Sequence, residues 1–184
     1  MKATGIVRRI DELGRVVVPK EIRRTLRIRE GDPLEIFTDK NGEIILKKYS
    51  PIGELSEHAQ ELSQSLSGTF SLPAAICDKD AYVACAGLGK RDLCGKGISE
   101  ALEQAMLKRE RLIQTEPGED RFSLLPNDDP AFLCTALVAM PVVSQGDAIG
   151  AVLLFSQKPD VAVDPAGIRA CETVATFLGR QMEQ

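Results

Sequence analysis

Basic side chains are concentrated at the start of the sequence. Residues 1–29 contain nine Lys and Arg against three Asp and Glu, whereas the whole chain of 184 residues has a net charge of −4. Guanidinium and ammonium groups bind phosphate oxygens, and arginine does so through two parallel hydrogen bonds. A basic N-terminal region in an otherwise acidic chain therefore favours nucleic-acid binding by residues 1–50. The alternative interpretation is that these charges only form a solvated surface.

Two short strands, a turn and a helix are predicted to position these charges. Residues 5–10 and 16–18 contain β-branched side chains and flank a turn-like sequence at 11–14, and Pro19 precedes a short helix over 20–26. Because these elements are adjacent along the chain, their cations are expected on one surface. The strand and turn positions are Arg8, Arg9 and Arg15, and the helix positions are Lys20, Arg23, Arg24 and Arg27.

A β-hairpin completes this first module. Residues 34–38 and 43–49 are predicted strands that meet around Asn41 and Gly42, a pair that tolerates the positive φ of a tight hairpin turn. Fifty residues built from short strands, with a single Phe and no Trp, bury little apolar surface alone. The module, residues 1–50, is therefore expected to be an obligate dimer.

Residues from 51 onward indicate a second, larger domain. A linker helix is predicted over 51–67, and its apolar seam fits either a coiled coil between chains or packing on its own domain. The seam consists of Leu55, Ala59, Leu62 and Leu66. Residues 68–184 predict an antiparallel sheet with helices to one side, which makes the fold class α+β with two domains. The expected strands are 73–77, 82–86, 122–125, 132–143 and 148–156, and the expected helices are 98–112 and about 18 residues from Asp164.

The sequence offers little support for enzyme or metal chemistry. His58 is the single histidine, it is expected on a helix surface, and no nucleophile motif or phosphate-binding glycine loop accompanies it. The five cysteines include no Cys-x-x-Cys pair, so we expect no metal, no cofactor and no disulfide framework. Reduced, mostly buried thiols are predicted, and a redox sensor at Cys94 is the less favoured alternative. No apolar run reaches the roughly 20 residues of a membrane helix, which predicts a cytoplasmic protein without a membrane partner.

The first module resembles the swapped-hairpin DNA-binding domain of the bacterial transition-state regulators. The similarity rests on residues 2–10 and on residues 14–23, which read Gly-Arg-Val-x-Val-Pro-Lys-x-Ile-Arg, and it extends more loosely along the whole chain. The resemblance implies that two chains interleave their hairpins into one β-barrel dimer, which binds deformable, often A·T-rich double-stranded DNA. It also implies a C-terminal GAF domain, a sensor-type fold, and a nucleoid-associated activator and repressor of late sporulation genes.

The resemblance assigns DNA contacts residue by residue. The DNA-contacting arginines of the family correspond here to Arg8, Arg15, Arg23 and Arg24. Charge alone adds Lys2, Arg9, Lys20 and Arg27 to the candidates. No ligand-binding residue of the GAF domain is transferred, so that domain is expected either to sense an unknown small molecule or to drive oligomerisation, with a homotetramer formed through the helices.

Two other function classes remain open at this point. Swapped-hairpin heads also occur in antitoxins, so one alternative is an autorepressor whose C-terminal region binds a toxin. Antitoxin tails are usually short and disordered, whereas residues 68–184 have a full sheet pattern. The other alternative, an enzyme in the C-terminal domain, is disfavoured by the single histidine.

Overall fold

The chain forms two units in the computed structural model, Met1–Tyr49 and Ser50–Gln184. The structure describes residues 5–88, 93–118 and 121–183.

One helix and one hairpin make up the regular structure described in the first unit. Helix α1 spans Lys20–Thr25, as the Pro19 signal predicted, and strands β1 (Leu34–Thr38) and β2 (Ile44–Lys48) pair antiparallel. Gly42 adopts a φ of +79°, which a side chain would disfavour and which closes the predicted Asn-Gly turn. The helix and hairpin predictions are therefore confirmed.

The two strands predicted over residues 5–10 and 16–18 are not formed in this single chain. A turn lies between them, in which the Asp11 N–H donates to the Arg15 carbonyl at 3.0 Å. A strand persists where a neighbour completes its hydrogen-bond ladder and covers its apolar face. Here Val7 and Val17 are 84% and 70% exposed. The strand prediction is wrong for one chain because no strand ladder forms between this segment and the rest of the described residues.

The second unit begins with two helices and continues as a domain of antiparallel strands and further helices. Its helices are α2 (Pro51–Glu54), α3 (Ser56–Phe70), α4 (Glu100–Lys108) and α5 (Pro165–Gln181), and a 3₁₀ turn covers Pro130–Phe132. Its strands are β3 (Ala74–Asp78), β4 (Tyr82–Ala86), β5 (Leu112–Gln114), β6 (Phe122–Ser123), β7 (Leu133–Cys134), β8 (Ala136–Ser144) and β9 (Asp147–Ser156).

Five of these strands form one antiparallel sheet in the order β4-β3-β9-β8-β5. The β8–β9 hairpin lies at its centre, with Ala136 opposite Ser156 and Pro141 opposite Ala151. Strands buried on both faces read as continuous apolar runs, which is why residues 148–156 could be recognised in the sequence. Strands β6 and β7 form a separate two-stranded sheet.

Helices cover both faces of the five-stranded sheet, which corrects the expectation of helices to one side. Helices α3 and α5 pack on one face through Ala59, Leu66 and Leu178. Helix α4 packs on the other face through Leu102 and Met106. The 3.6-residue period predicts that a helix has an apolar face, but it does not say which side of a sheet receives that face.

The helix predicted as a linker packs on the C-terminal unit. All four seam residues belong to the apolar cluster that α3 shares with the sheet, and Ala59 is completely buried. Of the two alternatives that the seam allowed, the structure shows packing on its own domain. The single histidine, His58, lies on the exposed side of this helix, as expected.

Capping side chains explain where the later helices begin and end. The Asp164 carboxylate accepts a hydrogen bond from the Gly167 N–H at 2.7 Å, so α5 begins where the Asp-Pro pair predicted. Helix α4 is shorter than the predicted 98–112 because Arg109 turns left-handed, with a φ of +57°, and ends it. The strand predicted over 132–143 is interrupted at Thr135, whose hydroxyl donates to the Lys158 carbonyl at 2.6 Å.

The cysteines divide into three thiols and one bonded pair. Cys77, Cys134 and Cys171 are buried free thiols, as predicted. Cys85 and Cys94 form a disulfide, which corrects the expectation that all five would be reduced. Their Cα atoms lie 6.2 Å apart, inside the range that a disulfide spans, although the spacing in sequence gave no such signal. Within the described part of the chain, no helix is long and apolar enough to cross a membrane.

Candidate nucleic-acid interface

The described basic candidates lie on two segments of the first unit. Arg8, Arg9 and Arg15 belong to residues 5–19, and the other described candidates lie on or just after α1. Six of the seven are exposed, and Arg23 is half-buried. Lys2 lies outside the described residues. Exposure leaves these cations accessible to an anionic partner.

Helix α1 brings three of the candidates onto one face. Lys20, Arg23 and Arg24 are three and four residues apart, a spacing that aligns side chains along a helix, while Ile22 points to the opposite side and is half-buried. A short helix with exposed Lys20 and Arg24 and half-buried Arg23 on adjacent positions can present neighbouring guanidinium and ammonium groups to phosphates.

Arg27 ends α1 in a left-handed conformation, with a φ of +53°. The Arg27 N–H donates to the Arg24 carbonyl, and the Ile28 N–H donates to the Arg23 carbonyl at 2.8 Å, the bond pattern of a Schellman motif. The Arg27 carbonyl in turn accepts from the Lys48 ammonium at 3.2 Å. The end of α1 is therefore attached to the hairpin. Arg27 lies two residues beyond the last residue of the helix, close in sequence to Arg23 and Arg24.

Arg15 is held by an acidic neighbour. The Asp11 carboxylate accepts hydrogen bonds from the backbone N–H and the Nε of Arg15, both at 2.8 Å, and from the Leu13 N–H at 3.0 Å. The Arg15 backbone N–H first, and its side chain second, lower the pKa of Asp11 below its ordinary value. Asp11 is thus ionised at neutral pH, and it is an intramolecular competitor for the guanidinium group that the charge pattern of the sequence did not reveal.

The first unit has no apolar core of its own among the described residues. Every buried hydrophobic residue of the described chain lies at position 52 or later. Eleven of the fifteen exposed large hydrophobic residues lie before Tyr49. These eleven are Ile6, Val7, Ile10, Leu13, Val16, Val17, Leu26, Ile36, Phe37, Ile44 and Leu46. Apolar side chains stabilise a fold only when they are removed from water. An apolar surface of this extent therefore indicates that the first unit needs a partner to complete its core.

The hairpin contributes cations that were not among the sequence candidates. Lys47 lies over the Phe37 ring at 4.7 Å, and the Lys48 ammonium lies 3.1 Å from the Asp32 carboxylate. The sequence predicted that both lysines lie on a strand, but the alternation of side chains along a strand does not reveal that each one contacts another residue of the first unit. Lys48 consequently positions the end of α1, as described for Arg27, instead of facing a partner freely.

Two clefts open on the second unit. One of about 420 Å³ lies between α5 and β8, where the Arg111 guanidinium and the Glu172 carboxylate form an ion pair at 3.0 Å. The other, of about 500 Å³, lies at the start of α4 and is lined by Ser99 and Phe122. The described residues contain no group of three or more His, Cys, Asp or Glu that could hold a metal ion.

The space between α4 and the sheet is filled by side chains. Tyr82, Leu102 and Phe155 are almost completely buried there, and the Tyr82 hydroxyl donates to the Leu124 carbonyl at 2.8 Å. Burial raises the pKa of Tyr82 well above its ordinary value, which keeps this phenol neutral. This apolar layer is therefore closely packed by the described residues.

Comparison with known proteins identifies the family. The model of the family described as "Stage V sporulation protein T C-terminal, transcription factor" matches residues 54–183. The stage V sporulation protein T of Bacillus subtilis is 50% identical over 184 residues, which covers all of both chains. The chain belongs to the stage V sporulation protein T family. Membership in this family of transcription factors confirms the resemblance on which the sequence interpretation was based.

Relatives of the first unit are found separately. The transition state regulatory protein AbrB of Bacillus subtilis is 55% identical in an alignment that covers 34% of this chain and 71% of AbrB. A family model described as "Antidote-toxin recognition MazE, bacterial antitoxin" matches residues 7–54. The head of this stage V sporulation protein T family member is thus similar to transition-state regulators and to antitoxins.

Solved structures show the fold of the larger unit. The GAF domain of PixJ from Thermosynechococcus elongatus aligns with a TM-score of 0.59 and 13% identity, covering 74% of this chain and 89% of that domain. The GAF domain of a phosphoenolpyruvate-protein phosphotransferase from Acinetobacter aligns with a TM-score of 0.56 and 13% identity, covering 74% and 84%. The predicted GAF-like fold is confirmed, and these likenesses establish the fold alone.

Proposed function

We propose that this chain is a DNA-binding regulator of sporulation genes whose first unit binds the duplex as a dimer. The observation that carries this proposal is the combination of an exposed row of cations with an apolar surface that a single chain leaves uncovered. Membership in a transcription-factor family and the similarity of the head to AbrB support the same function. Both also favour a regulator over an enzyme.

Dimerisation follows from the exposed apolar residues of the first unit. Val7, Val16 and Val17 lie on a segment that reads as strands but forms no strand ladder with the described part of its own chain. A second copy of the same segment supplies both the missing ladder and an apolar face, so two interleaved hairpins form one barrel. Each cation then occurs twice, related by the two-fold axis of the dimer.

The contacts to DNA are assigned to the cations of both segments. We infer that Arg8, Arg15, Arg23 and Arg24 contact the duplex directly. The supporting contacts come from Lys2, Arg9, Lys20 and Arg27. Arginine side chains that bind phosphates recognise the position of the DNA backbone, which depends on groove width and on how easily the duplex deforms. This mode of recognition fits a preference for deformable, often A·T-rich DNA.

The direct test is the salt dependence of binding to a labelled duplex, measured with the full chain by fluorescence anisotropy. Affinity is expected to fall steeply between about 50 and about 200 mM salt, because each neutralised phosphate adds about −0.9 to the slope of log K against log salt. Arg15→Ala and Arg23→Ala are expected to flatten that slope while the chain remains dimeric. Binding that is independent of salt would rule out this function.

The GAF-like unit is the proposed site of regulation. The cleft beside α5 and the cleft at the start of α4 are each large enough for a small molecule, and both are lined by polar or charged side chains, among them Arg111 and Ser99. The alternative role is oligomerisation through its helices, which would join two dimers into a tetramer. Native mass spectrometry of the protein purified from its host distinguishes them, since it reports retained small molecules and subunit number together. As a regulator of chromosomal genes, the protein would act in the cytoplasm at the nucleoid.

An antitoxin-type autorepressor is the second candidate function. The match of residues 7–54 to an antitoxin family model is the observation that favours it. The second unit speaks against it, because a folded five-stranded sheet domain is unlike the short tail that folds on a toxin. Stoichiometric co-purification with a small toxin would replace the regulator proposal with this one.

A further inference from the structure

Burial separates the five cysteines into two chemical classes. Cys77, Cys134 and Cys171 are buried, and burial raises the pKa of all three thiols, that of Cys171 to about 12. Because the thiolate is the nucleophilic form, these three are protected from oxidants. Cys85 and Cys94 are half-buried and are bonded to each other.

Backbone hydrogen bonds also bring the segments of Cys85 and Cys94 together. Cys85 lies near the end of β4, and the segment that contains Cys94 returns along the same strand. The Tyr82 N–H donates to the Lys96 carbonyl at 3.0 Å, and the Gly95 N–H donates to the Tyr82 carbonyl at 2.8 Å. Leu93, beside Cys94, is completely buried. These contacts fix residues 95 and 96 beside Tyr82, so backbone bonds as well as the S–S bond bring Cys94 near Cys85.

Helix α3 is attached to the same point of the strand. The Gln60 side-chain amide donates to the Cys85 carbonyl at 3.0 Å, and the Gln60 side-chain oxygen accepts from the Cys85 N–H at 3.4 Å. The disulfide therefore lies where β4, the segment leading to α4 and the first long helix of the unit meet.

We propose that Cys85 and Cys94 form a reversible thiol–disulfide pair that reacts with hydroperoxides. One thiolate attacks a peroxide oxygen and the O–O bond breaks, which leaves a sulfenic acid on that cysteine and releases an alcohol or water after protonation. The second thiolate then attacks the sulfenic sulfur, the S–O bond breaks, and water is released as the S–S bond forms. Two cysteines are oxidised by two electrons in total and the hydroperoxide is reduced; two equivalents of a small thiol reverse the change through a mixed disulfide.

Differential alkylation of the full chain tests this proposal. The protein is first reduced with dithiothreitol and freed of reductant, then treated with tert-butyl hydroperoxide and unfolded in a first alkylating reagent. Remaining disulfides are then reduced and labelled with a second reagent, and peptides are analysed by mass spectrometry. Cys85 and Cys94 are expected to carry the second label together, while the three buried cysteines of the same molecule carry the first. Renewed dithiothreitol treatment should return all five to the first label.

A variant and a second readout complete the test. In Cys85→Ala, Cys94 has no partner for an internal disulfide, so the loss of both thiol hydrogens that S–S formation causes, read by intact mass, is expected to be absent. Hydrogen exchange of the peptide around Tyr82 to Lys96 should slow on oxidation in the wild type and stay unchanged in Cys85→Ala. First label on Cys85 and Cys94 after peroxide in the wild type, or no disulfide-linked Cys85–Cys94 peptide pair when the oxidised protein is digested without reductant, would overturn the proposal. If Cys85→Ala does not fold, the wild-type labelling pattern decides alone.

Discussion

Replacing Arg24 by Ala removes one exposed guanidinium from α1 in each chain of a DNA-bound dimer. Alanine is the best helix former and the Arg24 side chain is exposed, so the substitution is expected to leave α1 and the fold intact. Because the variant dimer neutralises two fewer phosphates, the slope of log K against log salt becomes less steep by about 1.8. Over a fourfold rise in salt, from about 50 to about 200 mM, the wild type then loses about twelvefold more affinity than the variant.

Fluorescence anisotropy with a labelled duplex measures both slopes, and circular dichroism checks that the helix content is unchanged. The matched control is Arg169→Ala, which removes the same charge from an exposed position on α5 in the other unit. Its slope should equal that of the wild type. An Arg24→Ala slope equal to the wild type, or an equal flattening in Arg169→Ala, would refute the assignment of Arg24 as a local phosphate contact.

Two further changes probe the turn and the sheet domain. Asp11→Asn keeps an oxygen for the turn but removes the charge that competes for the Arg15 guanidinium, so DNA affinity should rise several-fold in anisotropy titrations; an unchanged or weaker affinity would contradict this. Gly179→Ala would place a Cβ against the Val143 carbonyl oxygen, inside van der Waals distance, so α5 must move away from β8. The free energy of unfolding, measured by urea denaturation, is expected to fall by about 1–3 kcal/mol. In the control Gly68→Ala, on an open side of α3, stability should instead rise by about 0.5–1 kcal/mol; equal effects of the two alanines would contradict the close contact.

Local signals in the sequence predicted much of the fold. Asn41 and Gly42 specify a hairpin turn because the pair tolerates positive φ, and the Asp164 cap marks the start of α5. Both signals act through neighbouring residues and do not depend on a distant part of the chain. Arg109 shows the limit of such signals: a left-handed residue that is not glycine ends α4, and no sequence pattern announced it.

Features set by distant contacts could not be read from the sequence. Residues 5–10 have strand character, yet a strand needs a partner, and one chain does not provide it among its described residues. The side of the sheet on which α4 packs, and the meeting of Cys85 with Cys94, depend on the tertiary path of the chain. Periodicity cannot predict such features, because it describes one element at a time.

The DNA-contacting residues stay a prediction, to which the structure adds their local environment. The cations were recognised from charge and from the family resemblance, and the structure places the described ones at exposed or half-buried positions. The ion pair between the Asp11 carboxylate and the Arg15 guanidinium was not predicted, although the two residues are only four positions apart. It forms because a turn brings both side chains to the same side. Asp11 thus gives the Arg15 guanidinium a partner within its own chain.

The central claim is that two copies of the first unit together form the DNA-binding surface. Native mass spectrometry of the full chain mixed with a short duplex tests it most directly, since it counts chains per DNA molecule. The expected complexes contain an even number of chains per duplex, with no complex of one chain and one duplex at any protein concentration. A stable complex of a single chain with the duplex would contradict the claim.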